Sequence, residues 1–220
     1  MNLKRKIAVF TFLALTCALS AQEFLSGEFW LPFELPRSDF EIETPDQMEL
    51  INQMLGEMRF IFAGMIYGFS FTYVPSDIRR GVEEVFELGP QGEIFPGDLN
   101  LEVYQTRKTQ SRFFTSAMYK VNDGQKRRLA YWDSAVFPVA EGVGRTNFFL
   151  GIEQKIEASK RGILEAIRSY LRKRVYDKPK KISGFARFTE VPYFTIDAGE
   201  FASKVRTALD IREIEYYKSY

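Results

Sequence analysis

Apolar residues recur at helical spacing through Met48, Ile51, Leu55, Met58, Phe62 and Met65, and predict an amphipathic helix. Thr44-Pro45-Asp46-Gln47 gives it a start, with a hydroxyl cap, a proline at the first helical position and a glutamine at the third. From Phe60 to Tyr67 the segment is apolar all round, which places that end deep in a core. Gly68 breaks the pattern, and Phe69-Ser70-Phe71-Thr72-Tyr73-Val74 alternates as a strand does. Pro75-Ser76 is expected to open a short helix with Ile78, Val82, Val85 and Phe86 inward, stopped by Gly89-Pro90. Residues 89–99 hold three glycines and two prolines and read as a loop and a possible internal boundary.

From Asn100 the period changes to two. Leu101 to Thr106, Arg112 to Val121 and Arg128 to Val139 are expected as strands, the last two joined by a hairpin turn at Asn122-Asp123-Gly124. Gly142-Val143-Gly144-Arg145 reads as a turn. Ile152, Ile156, Ile163, Ile167, Tyr170, Leu171 and Val175 then mark a long amphipathic helix over about 150–176, whose other face is strongly basic. Short strands follow at Phe185 to Phe188 and Tyr193 to Ile196, then a helix capped at Asp197 and running to about Leu209, then a closing strand from Ile211. The fold class is therefore α+β, a largely antiparallel sheet with helices on one face.

Two segments precede this domain, expected over 44–220. Residues 22–43 carry Phe24, Phe29, Trp30, Phe33 and Phe40 with Pro32 and Pro36, an extended aromatic and proline-rich arm. The arm either wraps its own domain or offers Phe24, Phe29, Trp30 and Phe33 to a partner. Residues 1–21 read as a secretory signal peptide: Lys4, Arg5 and Lys6, an apolar run, then small residues ending at Ala21. The run is too short for an uncleaved span, so no transmembrane segment is expected in the mature chain. Lipid attachment at Cys17 would want a small residue before it and leucine three before; Thr16 and Ala14 stand there instead.

Composition sharpens the functional choices. Cys17 is the single cysteine, and if it leaves with the leader the mature chain rests on packing alone, without disulfides. With no Asn-x-Ser/Thr sequon either, the chain reads as bacterial and periplasmic or surface-associated. It has no histidine, which excludes Ser-His-Asp, Cys-His and histidine-zinc chemistry within it. No cofactor or metal is expected. Carboxylate pairs remain, with Asp133 the better candidate and Asp197 and Glu200 explained by capping; glycosidic chemistry needs two carboxyls converging from different elements. Ser159-Lys160 falls in the basic helix without a setting for nucleophilic catalysis.

Charge is divided along the chain. Residues 22–100 hold 15 acids against 4 bases, and residues 101–220 hold 14 against 23. Such asymmetry points to an interaction between the halves or with partners. The basic clusters are Lys126-Arg127-Arg128 and, along the long helix and its exit, Arg168, Arg172, Lys173, Arg174, Lys178, Lys180 and Lys181. They suit polyanions; in an exported chain that means anionic lipid, cell-wall polymer or an acidic protein face rather than nucleic acid. The expected function is a non-catalytic binding or assembly protein, a scaffold or adaptor of the bacterial envelope that docks another envelope protein or its own copies. A periplasmic carrier of an apolar ligand such as lipid or fatty acid is the alternative, motivated by the Phe and Met content. A carboxylate hydrolase of cell-wall glycan comes third.

Overall fold

The computed structural model describes residues 23–32, 35–36, 42–43, 47–175 and 177–217. The leader, Phe33 and the Thr44-to-Asp46 helix start lie outside these residues. The fold is α+β with antiparallel sheets. Its strands are β1 (Phe24–Pro32), β2 (Leu35–Pro36), β3 (Ile42–Glu43), β4 (Phe69–Val74), β5 (Val85–Pro90), β6 (Leu101–Lys108), β7 (Arg112–Lys120), β8 (Val139–Asn147), β9 (Pro179–Phe188), β10 (Tyr193–Asp197) and β11 (Glu200–Tyr216). The helices are α1 (Gln47–Ile66), α2 (Asp123–Trp132) and α3 (Gln154–Arg172).

Two sheets enclose α1. The smaller has the order β1-β7-β6. In the larger, β5, β4, β9 and β11 pair in turn, β10 continues beyond β9 along the same edge of β11, and β8 takes the other edge. Phe62, fully buried on α1, meets the small sheet through the rings of Phe29 at 5.6 Å and Tyr119 at 6.3 Å. Phe60, two residues earlier, turns to the large sheet and meets Phe69 at 5.3 Å and Phe188 at 6.1 Å. That is why Phe60 to Tyr67 is apolar all round: both flanks of the helix face a sheet. Strands on either side of the 89–99 loop, β4 and β5 before it and β9 and β11 after it, share the larger sheet.

Several local readings are corrected. Asn122 does not turn a hairpin. Its Oδ1 accepts from Gln125 N at 2.9 Å while Gln125 Oε1 accepts from Asn122 N at 2.8 Å, a reciprocal cap that starts α2. The buried positions Gln125, Leu129 and Trp132 then follow at helical spacing, where an alternating strand was expected. Residues 75–90 form a short 3-10 turn at Ile78–Arg80 and then β5, with Ile78 95% exposed rather than inward. The expected cap at Asp197 is a tight hairpin turn between β10 and β11, with Ala198 at φ 50° and Gly199 at φ 78°. The segment expected as a helix to Leu209 is instead the first half of the 17-residue β11.

Gly142 and Gly144 do not form a turn. They lie in β8, where α3 crosses directly over the backbone: a Cβ on Gly144 would sit 2.0 Å from the Ala158 carbonyl oxygen and 2.3 Å from Gly162 N. One on Gly142 would sit 2.2 Å from the Gly162 carbonyl oxygen. Glycine here is a spacer for close packing of helix on strand. Gly144→Ala is expected to lower stability by about 3 kcal/mol, the upper range for overpacking, read as a fall in the urea midpoint at constant slope. Gly97→Ala, where nothing lies within 4 Å of the added Cβ, tests strain from positive φ alone and is expected to cost about 1 kcal/mol.

Candidate functional site

α3 carries two different faces. Toward the β-sheet it presents Ala158, Ser159, Gly162, Ile163, Ala166, Ile167 and Leu171. Its outer face ends in Arg172, followed by Lys173 and Arg174, and the chain returns through Lys178, Lys180 and Lys181 into β9. This return gathers part of the basic set around one cleft of about 540 Å³, lined by Arg168, Arg172, Lys178, Asp177, Ser76 and apolar neighbours that include Leu171 and Ile182. Arg172, Lys173, Lys178 and Lys181 have no ion-pair partner among the described residues; the hydrogen bond from Arg80 holds Asp77 below the usual carboxylate range, with Lys178 adding to it from further off. Arg174 stacks on Tyr170 at 4.1 Å, and Lys180 meets Glu215 at 3.5 Å.

Arg168 plays a different part. It forms ion pairs with Glu84 and Glu165 and donates from Nε to the Tyr73 hydroxyl at 3.3 Å, while that hydroxyl donates to Glu84 at 2.8 Å. Burial alone would lower the Arg168 pKa; the hydrogen bonds with Glu84 and Tyr73 outweigh it and raise it. Burial likewise pulls Glu84 upward, yet its hydrogen bonds with Arg168 and Tyr73 hold it low. Both groups stay charged at neutral pH, so Arg168 is a neutralised strut in the cleft wall and its neighbours carry the free charge.

The other basic cluster lies on α2 and forms no continuous surface with the first in this cleft. Lys126 pairs with Asp123 at 3.5 Å. Arg127 and Arg128 line a separate recess of about 410 Å³ with Tyr67, Trp132, Asp210 and Arg212, and Arg128 stands 5.5 Å over the Tyr67 ring. Nearby, the buried Arg187 donates to the Met65 carbonyl at 2.6 Å, at the end of α1, and to Asp133 Oδ1 at 3.0 Å, at the end of α2. A cation set against two helix ends is electrostatically favoured there. Asp133, the best of the carboxylate candidates, thus has a structural partner. Asp197 and Glu200 both meet Arg145 at 3.3 Å across the hairpin turn.

The aromatic arm divides. Phe24 is 44% exposed, whereas Phe29 and Trp30, expected among the docking residues, are buried in β1. They are turned inward by the pairing of β1 with β7, which sends Phe29 against α1 and Trp30 beneath Arg112, 4.1 Å away. Phe33 lies outside the described residues.

Beneath Trp30 is a group that sequence reasoning missed. Lys155 of α3 and Glu57 of α1 are both buried and form an ion pair at 2.7 Å. Lys155 Nζ also donates to the Trp30 carbonyl at 2.8 Å and stands 4.7 Å from the Trp30 ring and 4.6 Å from that of Phe194. Burial pushes Lys155 down and Glu57 up, and the attraction between them opposes both shifts. The available signal was positional: Glu57 falls between the buried Met54, Met58 and Ile61, and Lys155 falls one turn before the buried Ser159. The division of charge along the chain is met in part inside the molecule. Glu28–Arg107, Glu57–Lys155 and Glu84–Arg168 each join an acid of residues 22–100 to a base of residues 101–220.

Among the described residues no helix is long and apolar enough to cross a membrane. A protein-family model matches residues 13–217, and the chain belongs to that family. Over 161 residues, 73% of this chain and 68% of its relative, it is 25% identical to an uncharacterized protein of Treponema pallidum (strain Nichols). No solved structure matches it.

Lys155→Met alone is expected to destabilise the fold by about 3–5 kcal/mol, because Glu57 is left buried without its counter-charge. The double change Glu57→Leu with Lys155→Met is expected to recover most of that loss. Urea unfolding of the three chains measures it; a single variant within about 1 kcal/mol of the parent would show that the pair ties nothing together.

Proposed function

We propose that this protein is an exported, non-catalytic binding or assembly component of the bacterial envelope, and that it docks through the basic end of α3. The observation that carries the reading is that Arg172 and Lys178, without ion-pair partners among the described residues, line the 540 Å³ cleft, with Lys173 next to Arg172 in the chain. Other cations of the same helix are held inside the fold: Lys155 by Glu57, and Arg168 by Glu84 and Glu165. A set left over at one end, around a cleft with apolar walls, suits the rim of an interface with an acidic protein surface. Charge there steers association and fixes orientation more than it adds affinity. The basic leader and small-residue boundary support export, and the exposed Phe24 adds one apolar contact at another edge.

A photo-cross-linking residue placed at the exposed Ser76, on the cleft wall, is expected to capture one defined protein in an intact envelope. The same probe at the exposed Glu190 is expected to capture none. Arg172→Glu, Lys173→Glu and Lys178→Glu together should abolish the adduct, and raised salt should weaken it, since exposed charges are screened within about 10 Å at 0.1 M. Native mass showing a free monomer and an equally reactive reversed-charge chain would overturn the reading.

A further inference from the structure

On the opposite flank of α1 from the small sheet, a second cleft of about 430 Å³ opens between α1, α3, the β4–β5 pair and the loop after β5. Its floor is apolar: Phe60, Ala63, Phe69, Leu88 and Ile94. Its mouth holds Arg59 of α1 and Lys160 of α3. We infer that this cleft binds a single-chain amphiphile with an anionic head, an aliphatic carboxylate, with the chain on the aromatic floor and the head at Arg59 and Lys160. The inference is independent of the docking surface at the far end of α3 and stands or falls without it.

Three features argue for a built site. The wall is fixed, because Ile94 is buried and Gly92 lets the loop pass against Tyr67, where a Cβ would lie 2.6 Å from the ring. The floor is fixed as well, since Phe60 and Phe69 stack on each other at 5.3 Å and on Phe188 at 6.1 Å and 5.4 Å. The volume falls within the range of small-ligand pockets, which pair an apolar lining with a few placed polar groups.

Charge selects the head group. Arg59 has no ion-pair partner among the described residues, and the partner of Lys160 is Glu157 of its own helix, at 3.5 Å with both side chains well exposed. Glu93, exposed on the loop side, is the one carboxylate of the lining, so the rim offers two cations against it. A guanidinium fork matches a carboxylate in two parallel hydrogen bonds. Beside the mouth, Phe95 is 70% exposed, an apolar approach for a chain entering from a membrane or another carrier.

The test uses the mature chain, a fluorescent undecanoate analogue as reporter, and dodecanoate and dodecanol as competitors. Dodecanoate is expected to displace the reporter one-to-one. Arg59→Gln should weaken dodecanoate by about tenfold or more, the loss of a charge-assisted hydrogen bond, and leave dodecanol within about twofold. Leu88→Trp, on an edge strand that accepts aromatics, should fill the cleft and abolish both. Ile156→Trp, which approaches the same space from α3, serves if the first variant does not reach the parent's circular dichroism and melting point. No displacement by the parent chain overturns the inference. So does binding unchanged in a folded, cleft-filled variant, or dodecanoate affinity unchanged by Arg59→Gln.

Discussion

The buried contact of Lys155 with Glu57 and the Trp30 carbonyl ties together three parts of the chain at a single polar point. Glu57 comes from the central helix, Trp30 from the small sheet and Lys155 from the first turns of the helix that covers the large sheet. Removing two charges from water costs several kcal/mol per ion, and such a pair is weak evidence of net stabilisation. Its value is geometric. An amine that must find both a carboxylate and a carbonyl can be satisfied in one arrangement of α1, α3 and β1, whereas apolar contacts alone tolerate slippage. Glu57 Oε1 accepts no hydrogen bond, so little tolerance is left on the acid side: a small displacement would strand a charge.

With that register set, close packing follows. α3 settles on β8 so tightly that Gly142, Gly144 and Gly162 have backbone or side chain where a Cβ would go. The spacing of helix from sheet is therefore decided by the absence of side chains. The same placement leaves the outer face of α3 and its exit free to carry cations. It also sets α1 and α3 close enough for Arg59 and Lys160 to share the mouth of one cleft.

How much of this was legible in the sequence depends on whether the governing signal was local. α1 was legible because its apolar stripe and its all-apolar end are local properties, as were β4 and α3. The NDG tripeptide was misread because Asn122 followed by Gln125 is equally a capping box, and only the hydroxyls of the buried Tyr119 and the half-buried Tyr67, which Gln125 Nε2 reaches, decide for the helix. Gly142-x-Gly144 read as a turn because nothing in the sequence shows the helix lying over it. Asp197 to Glu200 looked like a cap because Asp-x-x-Glu fits one, while the β11 register is imposed by β8, β9 and β10 from both edges. Of the site, the basic cluster was legible as composition. Which cations are spent internally was not, because the acids that consume them are up to 98 residues away.

Charge then has three distinct uses in one chain, and the burial of each group separates them. Lys155 is fully buried and fixes register. Arg168, partly buried with two acids and a tyrosine, stiffens the wall of a cleft. Arg172, Lys173 and Lys178 are exposed and form no ion pair among the described residues, so their field extends outward. A fold that needed these last cations for its own stability would have placed acids against them, as it did for the first two. The acidic first half of the chain had carboxylates to spare. That they meet Arg107, Lys155 and Arg168 and leave the end of α3 unmatched is the physical argument for looking outside the molecule for the partner of that surface.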